Sequence, residues 1–505
     1  MIQIPRVTCT SNGSYVCLGR TEFGKYATDT DEVIYKAVST DFEVTANGIP
    51  CEVKECRVSA MPFNRPWPGK QRPYCQSESA GVLAFSADEA VEIRVKRKKK
   101  FQRAWIRPLS RNIQTDVREG EAIFTLREYG SYVLEFGDSH NVLHIFFDPI
   151  REYPEAKQAT LYFGPGMHFP GVIHLRDHDT VYIDREAIVF GSIFARGVRD
   201  VRIFGGGVLD NSCEERLAEN CYEDFTKGTF RIYDCQNVEI SDVILTNSST
   251  WALSMFGCSH VTVDNVKIVG HWRYNTDGID VVNSDHVQIR NCFIRSFDDT
   301  VSIKAIYDYE KPIEEICVEN CVLWCGWGKT CEIGIETAGV EYKNITFRRC
   351  DVIHSASGVM TISNGNYADM HHITFEDINV ELQKDTPLQV VQTADAQEYD
   401  GEGRVQQIHV ISNSNTPYGI RRKDPDGLVR ACSDQLGNIH DVTYKNIRII
   451  TEDPSEKPII RIKSVDENLI FKNFRFENMY INGERITDFE RFSVLLQNVE
   501  NVTIQ

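Results

Sequence analysis

The sequence predicts an all-β protein, with a parallel β-helix over its C-terminal two-thirds and a separate β-sandwich-like domain before it. Three observations carry this reading. Similar segments recur at steps of 23 to 29 residues, a period that means a solenoid or an array. Within each copy apolar and polar residues alternate with period two, turn at Asn or Asp, and alternate again, which is a strand pattern. β-Branched residues are dense and no 3.6-residue period is present, which excludes helical repeats.

Residues 1–150 show no repeat. Short strand-like runs such as AVEIRVKR (Ala90–Arg97), EAIFTLR (Glu121–Arg127), SYVLEFG (Ser131–Gly137) and VLHIFFD (Val142–Asp148) are separated by Gly, Asp and Asn turns. They suit a sandwich-like domain packed on the first coils. Covering the end of the solenoid is its plainest role, and carbohydrate binding is the alternative.

The solenoid is expected over residues 151–505. Aligned copies start at Asn237, His260, His286, Glu315, Asn344, His372, Asp441 and Asn468. The one long step, of 69 residues, contains the Gly-, Asp- and Gln-rich stretch 385–438, which reads as an inserted loop. Copies of this length hold about three short strands, fewer than a propeller blade of roughly 40 residues needs. Asn291 and Asn320, and likewise Cys292, Cys321 and Cys350, fall at matching repeat positions. Stacks of like side chains explain them better than a metal site, which calls for paired Cys/His clusters.

Bulk properties narrow the partners. The net charge of −18 on 505 residues argues against nucleic acid and anionic membranes. The one basic run, Arg94–Arg103, reads as a solvated face. No segment approaches the ~20 apolar residues of a membrane span. The N-terminus MIQIPRVTCTSNG has neither a basic start nor an apolar core, and the sixteen cysteines read as reduced thiols. Together these predict a cytoplasmic protein.

The chemistry concentrates in NTDGIDV (Asn275–Val281) and FDDTVSIK (Phe297–Lys304). Asp277 and Asp299 are 22 residues apart, about one coil, so they become neighbours at the inter-strand spacing of roughly 4.8 Å. With Asp298 they place three carboxylates on one wall, as glycoside hydrolysis by two carboxylates and a water requires. A solvated acidic turn is the plain alternative.

With the strings Tyr162–Ile193 (YFGPGMHFPGVIHLRDHDTVYIDREAIVFGSI) and Val201–Ser212 (VRIFGGGVLDNS), these motifs resemble glycoside hydrolase family 28 over about residues 160–378. That is the polygalacturonase family of right-handed parallel β-helices. The resemblance implies Asp298 as general acid, with Asp277 and Asp299 holding and deprotonating the water. It also implies inversion, with carboxyl separations of about 6.5–9.5 Å. Asn275 either orients the base or caps its turn, and Asp280 either binds a sugar hydroxyl or satisfies a turn. Lys304, Lys329 and Glu336 are further substrate-binding candidates, as are His271 and Trp272 in a loop expected to overhang the cleft. Trp324 is expected in the core. The chemistry needs no metal or cofactor, and the expected partner is a carbohydrate.

Two family motifs are missing. The place of the Gly-His-Gly holds GWGKTCEIGIET (Gly326–Thr337), where Lys329 or Cys331 stands nearest the absent histidine. The place of the uronate-gripping Arg-Ile-Lys holds GVMTIS (Gly358–Ser363), without a cation. This predicts a neutral or weakly charged oligosaccharide in preference to polygalacturonate. Lys304 and Lys329 are the residues able to rebuild a cationic subsite and restore the polygalacturonase alternative. Two other classes stand beside these: a non-catalytic glycan-binding β-helix, and a lyase or epimerase, which calls for a metal such as calcium or a base cation near Asp277, where Arg273 is the nearest arginine.

Overall fold

The computed structural model describes residues 38–59, 77–214, 228–309, 311–383, 408–416 and 435–505, with short strands at 2–3, 14–17, 33–36, 422–423 and 429–430. From Leu161 onward these residues wind into a parallel β-helix. One wall is a 12-stranded sheet from Leu161–Phe163 to Val499–Ile504, and a 21-stranded sheet forms the remaining walls. The interior is a ladder of like side chains: Val261, Val287, Ile316, Ile345, Ile373, Val442 and Phe474 are consecutive register partners. Rings stack the same way, with Phe347, Phe375, Tyr444 and Phe476 at centroid spacings of 5.4, 5.2 and 5.1 Å. Alternation in sequence becomes burial because successive strand residues face opposite sides.

The corners explain the Asn, Asp and His of the repeat. Asn237, His260, His286, Glu315, Asn344, His372 and Asp441, which start the aligned copies, all have φ between 51° and 57°. Asn and Asp reach that left-handed region at the lowest cost among non-glycine residues. At the next corner Asn291 donates to Asp264 (2.7 Å) and Asn320 to Asn291 (2.6 Å), so neighbouring coils are tied side chain to side chain. The cysteines form the expected internal stack: Cys292, Cys321 and Cys350 are buried. Each thiol donates to the carbonyl two residues back, at 3.1, 3.2 and 3.4 Å.

Two details of the repeat differ from expectation. The eighth copy starts at Asn473 (φ 62°), not Asn468, because Phe474 is the register partner of Val442. An odd shift of five residues exchanges the two faces of the strand, and the apolar run LIFKNFRF permits either frame by composition alone. His409–Asn415, expected within the inserted loop, is a solenoid strand paired with Gly358–Asn364 and Ile459–Lys463. Its Ser- and Asn-rich sequence hid the alternation. Residues 385–407, and most of 417–434, lie outside the described residues.

The N-terminal residues form a five-stranded and a six-stranded sheet. Between them lies a core of Phe42, Ile93, Val95 and Phe124 from one sheet and Leu83, Phe85, Leu134 and Ile145 from the other. The far face of the six-stranded sheet presents Val82, Val133 and Phe146 to Phe190, Val269, Phe293 and Trp324 of the β-helix. A buried ionic cluster crosses this seam. Arg107 pairs with Glu135 (2.7 Å) and with Glu381, His354 pairs with Glu135, and Trp105 Nε1 donates to Glu135 at 2.7 Å.

Candidate active site

The two acidic motifs lie on adjacent coils. Ile279–Val282 pairs in parallel with the strand starting at Val301, in the register Ile279 to Val301, Asp280 to Ser302 and Val282 to Lys304. That register places Asp277 over Asp299, as the 22-residue spacing requires. Gly278 makes the close stacking possible: its N–H donates to the Asp299 carbonyl (2.8 Å), and a Cβ there would lie 2.3 Å from the Thr300 carbonyl oxygen. Asn275 turns the chain at φ 60° and donates from Nδ2 to Asp277 Oδ1 at 3.2 Å. The residue thus both turns the chain and fixes the Asp277 carboxyl.

A single ammonium holds the cluster. Lys304 Nζ lies 3.0 Å from Asp277, 2.9 Å from Asp280 and 3.7 Å from Asp299, and sits 4.2 Å above the Trp251 ring. Asp277, Asp280 and Lys304 are buried. Ser302 donates to Asp280 (2.7 Å), and the Lys329 backbone N–H donates to Asp299 Oδ1 (2.9 Å). Asp298 is half-buried and has no cation at ion-pairing distance among the described residues. It packs against Gly328, where a Cβ would lie 2.5 Å from its Oδ1.

Burial pushes Asp277 and Asp280 upward, and Lys304 opposes it at both. At Asp298 burial and then the charge of Asp299 raise the carboxyl to about 8. Burial lowers Lys304, but Asp277 and Asp280 more than reverse this and hold it well above the usual lysine range. Four carboxylates around one ammonium do not all stay ionised, because like charges at this range raise one another. Asp298, which has no ion pair among the described residues, is raised far enough to keep a proton at neutral pH.

The remaining candidates divide. Lys329 borders the cluster, but its Nζ is taken by Glu332 (2.7 Å) and Ser363 (2.9 Å). Glu336 is buried close enough to raise both Lys304 and Lys329. His271 and Trp272 do not overhang the cleft as expected, since both are buried, at 1% and 4% exposure. The ring of Trp272 is covered by Arg273 at 5.7 Å, and Arg273 donates to the carbonyls of Glu214 and Ser212. Cys331 faces the core beside Ile333, which leaves Lys329 as the residue nearest the place of the missing histidine. Trp324 is in the core, 3.6 Å from the Arg295 guanidinium. Among the described residues no group of three or more His, Cys, Asp or Glu is arranged to hold a metal ion.

Sequence reasoning gave no role to three features. Trp251, under Lys304, lies outside every motif. Trp327 stacks on Phe297 (5.5 Å, 8°) and meets Tyr274 at 5.6 Å, giving half-buried aromatic rings beside Gly328. Their neighbouring places in the two acidic coils were the available signal. The third is an Arg-Ile-Lys string at Arg461–Lys463, two coils beyond Thr361 on the same wall.

Residues 172–403 match the family model described as Glycosyl hydrolases family 28. Rhamnogalacturonase A of Emericella nidulans is 29% identical over 162 residues, covering 31% of this chain and 30% of that protein. An exopolygalacturonase of Oenothera organensis is 29% identical over 196 residues, covering 35% of this chain and 50% of that protein. The chain thus spans at most half the length of these relatives. Dex49A from Penicillium minioluteum shares the fold, with a TM-score of 0.52 at 13% identity over 98% of this chain and 93% of that one.

Proposed function

From the premise that this chain belongs to glycosyl hydrolase family 28, we propose that it hydrolyses O-glycosidic bonds of a pectin-type glycan by inversion, at a neutral sugar. The observation that carries the reading is the pairing of opposites in one cleft. Asp298, with no ion-pairing cation among the described residues and raised to about 8, is an acid at neutral pH. Asp277 beside it is held by Lys304 and Asn275. Asp298 protonates the leaving glycosidic oxygen, while Asp277 and Asp299 orient a water and take its proton as it attacks the opposite face of the ring. Neither carboxylate bonds to the sugar, so the anomeric configuration inverts.

The neutral sugar follows from charge. Lys304 is compensated by Asp277 and Asp280, and Lys329 by Glu332. The strand Gly358–Asn364 offers Thr361 and Ser363 but no cation. A uronate carboxylate desolvated there lacks a partner, which costs several kcal/mol. The half-buried Trp327 and Tyr274 offer apolar rings to a sugar face. The lyase alternative is disfavoured by Arg273, which is engaged with backbone carbonyls of the 212–214 segment.

Incubation with a panel of neutral, mixed and fully uronic oligosaccharides, with products followed by NMR, tests the reading. Inverted products from glycans with a neutral sugar at the cut are expected. Retained configuration, an unsaturated product, or preference for homopolymeric galacturonate overturns it. The cytoplasmic location belongs to the same proposal, and activity in the particulate or extracellular fraction of cells would contradict it.

A further inference from the structure

The wall that carries the carboxylates continues for several coils. Successive register partners outward from the acid cluster are Ser302, Glu332, Thr361, Ser412 and Arg461. At roughly 4.8 Å per coil, Arg461 stands about 19 Å along the cleft from Ser302. An open groove covers this stretch, with Lys329 at its near end, Arg461 and His409 at its far end, and the hydroxyls of Thr361, Ser363 and Ser412 along it.

Charge is distributed unevenly along the groove. At the near end Lys329 is neutralised by buried Glu332. At the far end Arg461 is half-buried and, among the described residues, has no carboxylate or other hydrogen-bond partner. Lys463 stands on the same outward face two residues on, in a strand with the burial pattern iBiBi, and is likewise unpaired among the described residues. A guanidinium with no partner among the described residues, in a groove of a chain with net charge −18, is a local exception, not the trend of the surface. Its planar fork matches an oxyanion in a way that an ammonium does not.

We propose that the far end of this groove, built by Arg461 with His409 and Ser412, is a subsite for an anionic sugar, carrying a uronic carboxylate or a sulfate ester. It lies two coils beyond Thr361, where the family resemblance leads one to expect a uronate clamp, and so reads a different ring of the chain. The substrate is then a mixed glycan, neutral at the cut and charged several units away. This rests on the reading of the cleft as a glycan-cleaving groove.

Titration calorimetry on the full-length protein tests the subsite without relying on turnover. The probes are pectin-derived oligosaccharides, the same oligosaccharides after reduction of their carboxylates to hydroxymethyl groups, and a sulfated galactan oligosaccharide. Wild type is expected to bind one of the anionic probes about tenfold more tightly than the reduced one. Arg461→Gln should abolish that preference, Arg461→Lys should restore part of it, and binding of the reduced probe should not change. Which anionic probe shows the preference identifies the substituent. Equal affinity for all three probes, or an equal loss on all of them in Arg461→Gln with an unchanged melting temperature, overturns the proposal. If anionic binding depends on Arg461 while no glycan is cleaved, the hydrolase reading fails and the subsite stands.

Discussion

Two buried clusters of charge, one at the seam between the sheets and the β-helix and one in the cleft, both set carboxylates against cations, to opposite effect. At the seam, burial raises Glu135, but His354 and Arg107 outweigh it and hold the carboxyl down at about 2. In the cleft, burial and Asp299 carry Asp298 up to about 8. Glu381 lies between them: it shares Arg107 with Glu135, and burial leaves it at about 7. At Glu135 the answering cations and donors outweigh burial, and at Asp298 they do not. A seam that answers its charges holds two parts of a protein together. A cleft that leaves one carboxyl unanswered stores a proton for chemistry.

The sharpest way to break the comparison is Asp298→Asn. Loss of a general acid costs about 10²–10⁴ in rate, and the melting temperature should not fall, because no ion pair is lost. Near wild-type kcat on an unactivated glycan would refute the assignment. Next comes Gly328→Ala, whose Cβ lands 2.5 Å from Asp298 Oδ1 and 2.6 Å from the Asp299 nitrogen. Displacing both carboxylates by a fraction of an ångström to an ångström should lower kcat by roughly tenfold to a hundredfold, with substrate affinity nearly kept.

The seam should respond in the other currency. Arg107→Met leaves Glu135 and Glu381 buried without their guanidinium, a loss of about 3–5 kcal/mol in urea unfolding. The specific activity of the folded fraction should be unchanged, and unchanged stability would show the cluster to be ornamental. The smallest effect is on pH dependence. With Asp298 as the acid, kcat/KM should fall as pH rises above about 8, since the catalytic form is the protonated one. Lys304 favours the ionised forms of Asp277 and Asp298, so Lys304→Met should raise both. The acidic limb then moves to higher pH as the base becomes harder to ionise, and an acidic limb that stays in place contradicts the role given to Lys304.

Much of this was legible in the sequence. The 22-residue offset of Asp277 and Asp299 is a register, and a parallel solenoid converts register directly into contact. The Asn, Asp and His at the copy starts are a backbone requirement written in composition. What failed did so where local pattern underdetermines the frame. LIFKNFRF alternates acceptably in two frames, and only the Phe474–Val442 pairing selects one. HVISNSN has too few β-branched outward residues to read as a strand until its neighbours on both sides are known.

By itself the sequence determined the solenoid and the two adjacent coils that bring three carboxylates together, because each depends on a repeat and repeats are one-dimensional. Only the tertiary structure decided which carboxyl lacks a cation, that His271 and Trp272 turn inward, that Trp251 lies beneath Lys304, and that Arg461 shares a groove with Lys329. Charge balance and burial are sums over neighbours from many coils and from the N-terminal sheets. No window of the chain contains those neighbours together, so the fold has to bring them into contact before the sums exist.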